Sequence, residues 1–486
     1  MAAHVRSPSP NPSSPCLFLC PMHLCRGWRQ YRYITRYLFV FALICSFLFT
    51  LCLHLRFERT TDETRAPLLG HDSHAYPHLH LFIPVNQPSL LFCKSLASAI
   101  INTYPPPILI NFNTTYAKPK LAHGAKLAGM AEYLRNPRQL GPGIERKTWE
   151  TDLVLFADGF DIWYQLPSDV LIRRYTYFRT NVQGSGWTSS APAPAPVIFG
   201  ADKQCWPNKS DSPPCKLAPE SSLPKDAYGA DTTDKVIGDS GYKRFRPRYL
   251  NSGTVFGEWG SMREVYVKAA KEAADRVKIG KEVLSDQGVL ADVWGEDLER
   301  DELNRKRAGT DEGSVHDNVR SMRIVLDYES RLFQTMTHSH DDVKWNMVNT
   351  THTAGDRDMD LSSNIYTASL PPVLQLATNL VSNTIAALVH FNGPKFPLGS
   401  EEKAGWWGRM WWFNLFPEVT DVNGRGRIAK MFFEGRIERV RGADAGVAGA
   451  GVGQVGGVWT DKGEWIEWEE ICGKWDFVGT GGVWGI

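Results

Sequence analysis

A chain of 486 residues has room for two or three ordinary domains, and 43% hydrophobic with 22% charged residues lets most of it build a core. The formal net charge of +1 excludes a strong overall field for nucleic acid or acidic partners, so no nucleic-acid partner is expected. Seventeen Trp residues fit either a dense core or surfaces that stack on sugars.

Residues 1–36 are Pro/Ser-rich and then basic, the composition of a disordered tail. YLFVFALICSFLFTLCLHL, residues 37–55, is an apolar run of about 19 residues, long enough to span a bilayer as one helix. Arg26, Arg29, Arg32 and Arg36 precede it and no acidic residue does, which predicts a cytosolic N-terminus and a lumenal remainder. A cleaved signal peptide would have a shorter apolar stretch, nearer the N-terminus, ending in small residues. Residues 56–77 read as a stem, and 78–486 as the lumenal domain. Anchor length discriminates Golgi from endoplasmic reticulum only loosely, so either membrane fits. Asn113-Thr114-Thr115, Asn208-Lys209-Ser210 and Asn349-Thr350-Thr351 are N-glycosylation triplets on the lumenal side. Four of the nine cysteines follow the span. Cys205 and Cys215 bracket a Pro-rich loop and suit a disulfide, which leaves Cys93 and Cys472 as the remaining pair.

From His78 strand and helix patterns alternate. HLHLFIPV (78–85) predicts a strand, LLFCKSLASAI (90–100) a helix, and 108–112 a second strand. A helix is predicted over 121–134, where Leu127, Met130, Ala131 and Leu134 recur at helical spacing. Thr151–Phe156 is a short apolar run of the kind buried in a parallel sheet. Val197–Gly200, Thr254–Phe256 and Ile324–Leu326 extend the series. Long polar loops are expected at 191–196, 207–246 and 296–320, and a Gly/Ala-rich insertion near 442–457. The alternation predicts an α/β layer fold.

The sharpest motif is LVLFADGFDIWYQLP, which sets Asp158 and Asp161 just beyond a buried strand. Ligands of open α/β sheets bind at the carboxyl ends of strands. Two carboxylates across a tight Gly-Phe step suit a hard divalent cation that shares its coordination with substrate phosphates. A nucleotide diphosphate leaving group is the natural partner of such a cation. The same spacing also fits a plain solvated turn. ALVHFNGPKF carries His390, Asn392, Gly393 and Lys395. An imidazole ligand favours Mn²⁺ over Mg²⁺, Gly393 permits close backbone approach, and Lys395 can neutralise a phosphate. YLNSGTVFG (249–257) and LSDQGVL (284–290) place Asn251 and Asp286 at polar steps on apolar elements. Asp286 reads either as a group acting on an acceptor hydroxyl or as a helix start capped by Ser285.

Taken in order from about His78 to Lys395, these blocks resemble the glycosyltransferase domain of procollagen lysyl hydroxylase/glucosyltransferases and related fungal type II membrane proteins. VIFGADKQCWP (197–207) and RIVLDYESRLFQ (323–334) belong to the same ordered set. The resemblance implies a GT-A-type fold, a Rossmann-like mixed sheet flanked by helices, that binds Mn²⁺ and a UDP-sugar donor. It implies Asp158, Asp161 and His390 as metal ligands, and Asn392, Gly393 and Lys395 as a diphosphate loop. Asp286 and Asn251 fall at catalytic steps, and Lys126 on the preceding helix at a nucleotide-side lysine. The implied partners are the donor and a glycan or glycoprotein acceptor. Pro394 and Lys395 are adjacent where the family spaces them by one residue, and Asp286 stands where the family often has a longer Asp run.

Other readings of the residues lead elsewhere. His340-Asp341-Asp342 fits half of a non-haem iron triad, with His352 or His390 as the distal ligand. That chemistry is usually housed in an antiparallel double-stranded β-helix, unlike the α/β series here. A phosphohydrolase with Asp158 as nucleophile normally needs a second Asp at position 160, where this chain has Phe. A membrane-anchored carbohydrate-binding or scaffold protein of the same fold, without turnover, is the non-enzymatic alternative.

Overall fold

The computed structural model describes residues 78–102, 104–118, 120–137, 150–181, 195–308, 322–349, 373–393, 406, 409–411 and 457–472. All belong to the unit Tyr76–Ile486. The predicted tail, span and stem lie outside the described residues, among which no helix is long and apolar enough to cross a membrane.

The first βαβ unit follows the sequence pattern closely. β1 (Leu79–Pro84) leads to α1 (Leu90–Ile101), whose start is capped by Ser89 Oγ accepting from Phe92 N at 3.1 Å, and then to β2 (Ile108–Ile110). α2 (Leu121–Arg135) buries the predicted Leu127, Met130, Ala131 and Leu134, with Tyr133 beside them. β3 (Leu153–Ala157) pairs parallel with β1, in register from Leu79 opposite Leu153. β4 (Ile162–Tyr164) and α3 (Ser168–Asn181) follow, then β5 (Val197–Asp202) and the short α4 (Pro213–Lys216). β6 (Tyr249–Glu258) runs directly into α5 (Trp259–Lys278), and α6 (Asp286–Ala308) precedes β7 (Ile324–Asp327). β8 (Phe333–Thr335), β9 (Val343–Asn349), β10 (Val373–Asn379) and β11 (Leu388–His390) come next. β12 (Gly457–Thr460), β13 (Trp465–Glu467) and α7 (Trp468–Cys472) close the described chain.

Eight strands form one mixed sheet in the order β13-β12-β2-β1-β3-β6-β5-β7. β6 runs antiparallel to both neighbours and β13 antiparallel to β12; the other pairings are parallel. This order and the flanking helices are compatible with a Rossmann-like fold. Side chains alternate across the sheet. Leu81, Ile83 and Leu155 face a cluster with α1, α3 and the smaller sheets, whereas Phe82, Val154 and Phe156 face α2, α5 and α6. Burial on both faces explains why these strands read as unbroken apolar runs.

Three expectations need correction. Residues 296–308 are not loop, because α6 continues through them: Leu290, Val293 and Trp294 bury its inner face, and outward charges pair along it, as in Lys306–Glu302. The strand expected at 254–256 is ten residues long, and it takes in Asn251-Ser252-Gly253. Gly457, placed in the flexible insertion, begins β12, which pairs parallel with β2 at the sheet edge. Both disulfides form, Cys205–Cys215 and Cys93–Cys472.

Candidate metal centre

Asp158 and Asp161 reach one point because the chain turns sharply after β3. Gly159 makes that turn possible: a Cβ there would lie 3.0 Å from Pro84 O and 3.2 Å from the Ile83 side chain. β4 then carries the chain into a three-stranded sheet, β4-β11-β8, in which His390 sits opposite Ile162 and Thr335. Phe391 N donates to Asp161 O at 2.8 Å, locking the third residue's strand to the second residue's turn. Ligand atoms of Asp158, Asp161 and His390 all lie within 4.8 Å of one another.

The donor set fits a divalent cation. Asp161 Oδ1 and His390 Nε2 are 3.7 Å apart, too far for a hydrogen bond. Opposite ligands of one octahedral ion, each about 2.1 Å from it, are about 4.2 Å apart and neighbouring ones closer. His390 presents the correct nitrogen. Asn251 Nδ2 donates to Asp202 Oδ2 at 2.9 Å, so its amide oxygen faces the imidazole. That oxygen lies 2.9 Å from His390 Nδ1, which must therefore donate, leaving the Nε2 lone pair toward Asp161. Gly253 makes room for the ring, since a Cβ there would fall 2.1 Å from His390 Cε1. Among the described residues no other such group of three ligands occurs.

Lys126 and Asp286 join the centre. Lys126 Nζ sits 2.6 Å from Asp158 Oδ1 and 2.6 Å from Asp286 Oδ2. Asp286, the first residue of α6, also accepts from Ser252 Oγ at 3.1 Å and lies 3.0 Å from His123 Nδ1. Asp286 is thus at once the first residue of a helix and an ion-pair partner of Lys126 beside the centre. Burial alone would lower the Lys126 ammonium, but the carboxylates of Asp158 and Asp286 outweigh it and hold it above the usual lysine value. Burial would raise Asp286, yet Lys126 and His123 hold it well below the ordinary carboxylate range. At Asp158 burial wins and pushes the carboxyl up; Lys126 opposes this, and Asp161 and Asp286 add to it.

Asp202 is a site residue that the sequence reading did not single out; it ends β5, two residues beyond the strand predicted at 197–200. Its carboxylate accepts from Asn251 Nδ2 and, at 3.0 Å, from Asn392 Nδ2, so one acid orients two amides. Asn392 Oδ1 in turn accepts from Met336 N and Thr337 N, both at 2.9 Å, which ties the loop after β11 to the loop after β8. Gly393 follows with φ +105°, where a Cβ would meet Thr337 Oγ1 at 2.7 Å. His123, three residues before Lys126, had a legible signal: that spacing puts both on one helix face. Lys395 and His352 lie outside the described residues.

The rival motifs are placed elsewhere. His340 Nε2 meets Asp341 Oδ1 at 3.0 Å, and Asp342 is held by Lys203 at 2.7 Å and by Tyr228 Oη at 2.8 Å, an ion pair that joins no metal-ligand group among the described residues. Within the aromatic segment 405–413, Trp411 is buried and donates to Gln165 O at 2.9 Å, while Trp406 packs edge-on to Phe391 and Trp345. These are core contacts, and the one to Phe391 lies one residue from His390.

No family model matches the chain, and no curated protein matches it significantly.

Proposed function

We propose that the protein is a metal-dependent glycosyltransferase that moves a hexose from a UDP-sugar to a hydroxyl of a lumenal glycan or glycoprotein. The observation that carries this reading is the Asp158–Asp161–His390 group at the carboxyl edge of a mixed α/β sheet. The ordered sequence blocks around it and the strand order support a GT-A-type fold. Two disulfides in the described domain agree with an oxidising lumen. The span at 37–55 would anchor the chain in a Golgi or endoplasmic reticulum membrane.

In this reading Asp158, Asp161 and His390 hold Mn²⁺, with Mg²⁺ the less suited ion because of the imidazole. Bound there, the metal would offset the charge that grows on the departing diphosphate. The residues around it do the rest. Asn251 fixes the imidazole tautomer. Lys126 keeps Asp158 and Asp286 together without a metal, and Asp286 stays ionised near the centre, where it could accept a hydrogen bond from an acceptor hydroxyl and orient it. Gly393 gives a side-chain-free turn for a diphosphate, with Lys395 beyond it as its counter-charge.

The same Lys126–Asp158 ion pair favours one second reading, a fold of this kind that binds carbohydrate or nucleotide without turnover, because a metal ligand already has a cationic partner. One experiment separates the two. UDP release from a panel of UDP-sugars is measured with and without Mn²⁺ on the full chain and on an Asp158→Ala, Asp161→Ala double variant. Mn²⁺-dependent release from one donor, lost in the variant, supports the transferase. Mn²⁺-dependent UDP binding with no release from any donor supports the second reading, and neither signal from folded protein removes the donor site altogether.

A further inference from the structure

By sequence alone Asn113 and Asn208 are equivalent N-glycosylation triplets; in the fold they are opposites. Asn113 lies in the turn after β2, exposed, with φ +56° and its backbone N donating to Asn86 O at 3.0 Å. The turn is thus held by its backbone, and the side chain projects from it. Thr115, the hydroxyl residue of the triplet, is exposed as well. Asn208 is half-buried against α6. Its Nδ2, the atom a glycan would occupy, donates to Asp292 Oδ1 at 2.6 Å and faces Gly288 O at 3.4 Å. Its Oδ1 is enclosed, and Pro207 beside it would touch a Cβ added at Gly288, at 3.0 Å. Both hydrogens of that amide are committed to the helix whose first residue is Asp286.

We propose that Asn113 carries an N-linked glycan and that Asn208 does not. The proposal rests on the reading that this part of the chain is lumenal. In the modification, Asn113 Nδ2 forms a bond to C1 of the reducing-end sugar of a lipid-linked oligosaccharide. The C1–O bond to the diphosphate breaks, the lipid diphosphate leaves with that electron pair, and Nδ2 gives up one proton to solvent. β1, β2 and β3 run parallel, so the turn at 111–113 lies on the same sheet edge as Asp158. The glycan therefore stands on the rim of the candidate centre.

The test expresses the full chain in a eukaryotic secretory host and treats it with a peptide N-glycosidase in ¹⁸O water. Peptide mass spectrometry then maps each labelled aspartate. Asn113→Gln and Asn208→Gln variants run in parallel with Asp231→Asn, which creates a triplet at an exposed position as a topology control. Asn349, whose side chain lies outside the described residues, is mapped in the same digest. The expected result is label at position 113 that is lost in Asn113→Gln, no label at 208, and a mobility unchanged by Asn208→Gln. Label at 208 in soluble folded protein overturns the proposal, as does an unlabelled 113 beside a labelled control. If the control and every natural triplet stay unlabelled, the lumenal reading falls and the proposal falls with it.

Discussion

At the scale of single residues, the centre depends on side chains that touch no ligand. Asp202 holds the Asn251 amide, and Asn251 holds the His390 ring in the tautomer that leaves Nε2 open. Asn251→Ala should therefore weaken Mn²⁺ binding by about 10- to 100-fold, the usual effect of losing an outer-shell partner of a metal histidine. Titration calorimetry on the folded variant would show it, and unchanged affinity would remove Asn251 from the centre. A second buried acid invites a different measurement. Asp327 accepts from Arg331 N, Leu332 N and Phe333 N at 2.9, 2.6 and 2.8 Å, shaping the turn into β8. Burial pushes its carboxyl up to about 6, and the three backbone donors only partly oppose this. An acid whose folded value is raised binds its proton more tightly in the native state, so its contribution to stability falls as pH rises. The loss should run from about pH 4 to about pH 6 and amount to about 3 kcal/mol, at roughly 1.4 kcal/mol per pKa unit. Urea unfolding of wild type and Asp327→Asn across that window checks it: the wild-type slope should be the more negative.

At the scale of elements, what was legible followed from burial on both faces of the sheet. β1, β3 and β5 read as apolar runs because nothing on either side of them is wet, and α2 read as a helix because only one stripe of it is dry. The carboxylate pair was legible for the same reason, sitting where such a run stops. The reversal of β6 was not, because strand direction leaves no trace in the residues of a doubly buried strand. Asp202 was passed over because its role depends on Asn251 and Asn392, 49 and 190 residues away. β12 was missed because it is four residues long beside a Gly/Ala-rich stretch, and its pairing with β2 is what gives it order. The Cys93–Cys472 disulfide fastens α7 beside α1 and so secures that edge. A Cys93→Ser, Cys472→Ser variant should lose about 2 to 5 kcal/mol of unfolding free energy in urea, while retaining the Cys205–Cys215 bridge.

At the scale of the whole molecule, a metal held by a centre built from β3, β4 and β11 would couple its occupancy to global stability. Asp158, Asp161, Asp202 and Asp286 gather around Lys126 and His390, an excess of carboxylates that a divalent ion would offset. Mn²⁺ at a hundred times its dissociation constant should stabilise the folded state by about 2.7 kcal/mol. That appears as a higher Tm in a thermal scan, is reversed by a chelator, and is absent in the Asp158→Ala, Asp161→Ala variant.

The strand β12, which with β13 completes one side of the sheet, also carries a consequence in time. Trp459 pairs with Ile108, and Cys93 waits for a partner 379 positions later. A nascent chain emerging at about 5 to 20 residues per second completes β1, β2 and β3 tens of seconds before the strand that covers β2 exists. Throughout that interval the outer rim of Ile108–Ile110 stands open, the kind of edge on which another chain can build. The strand at 457–460 is thus the chain's own chaperone for the first βαβ unit, closing a border that the ribosome leaves uncovered until those residues have been made.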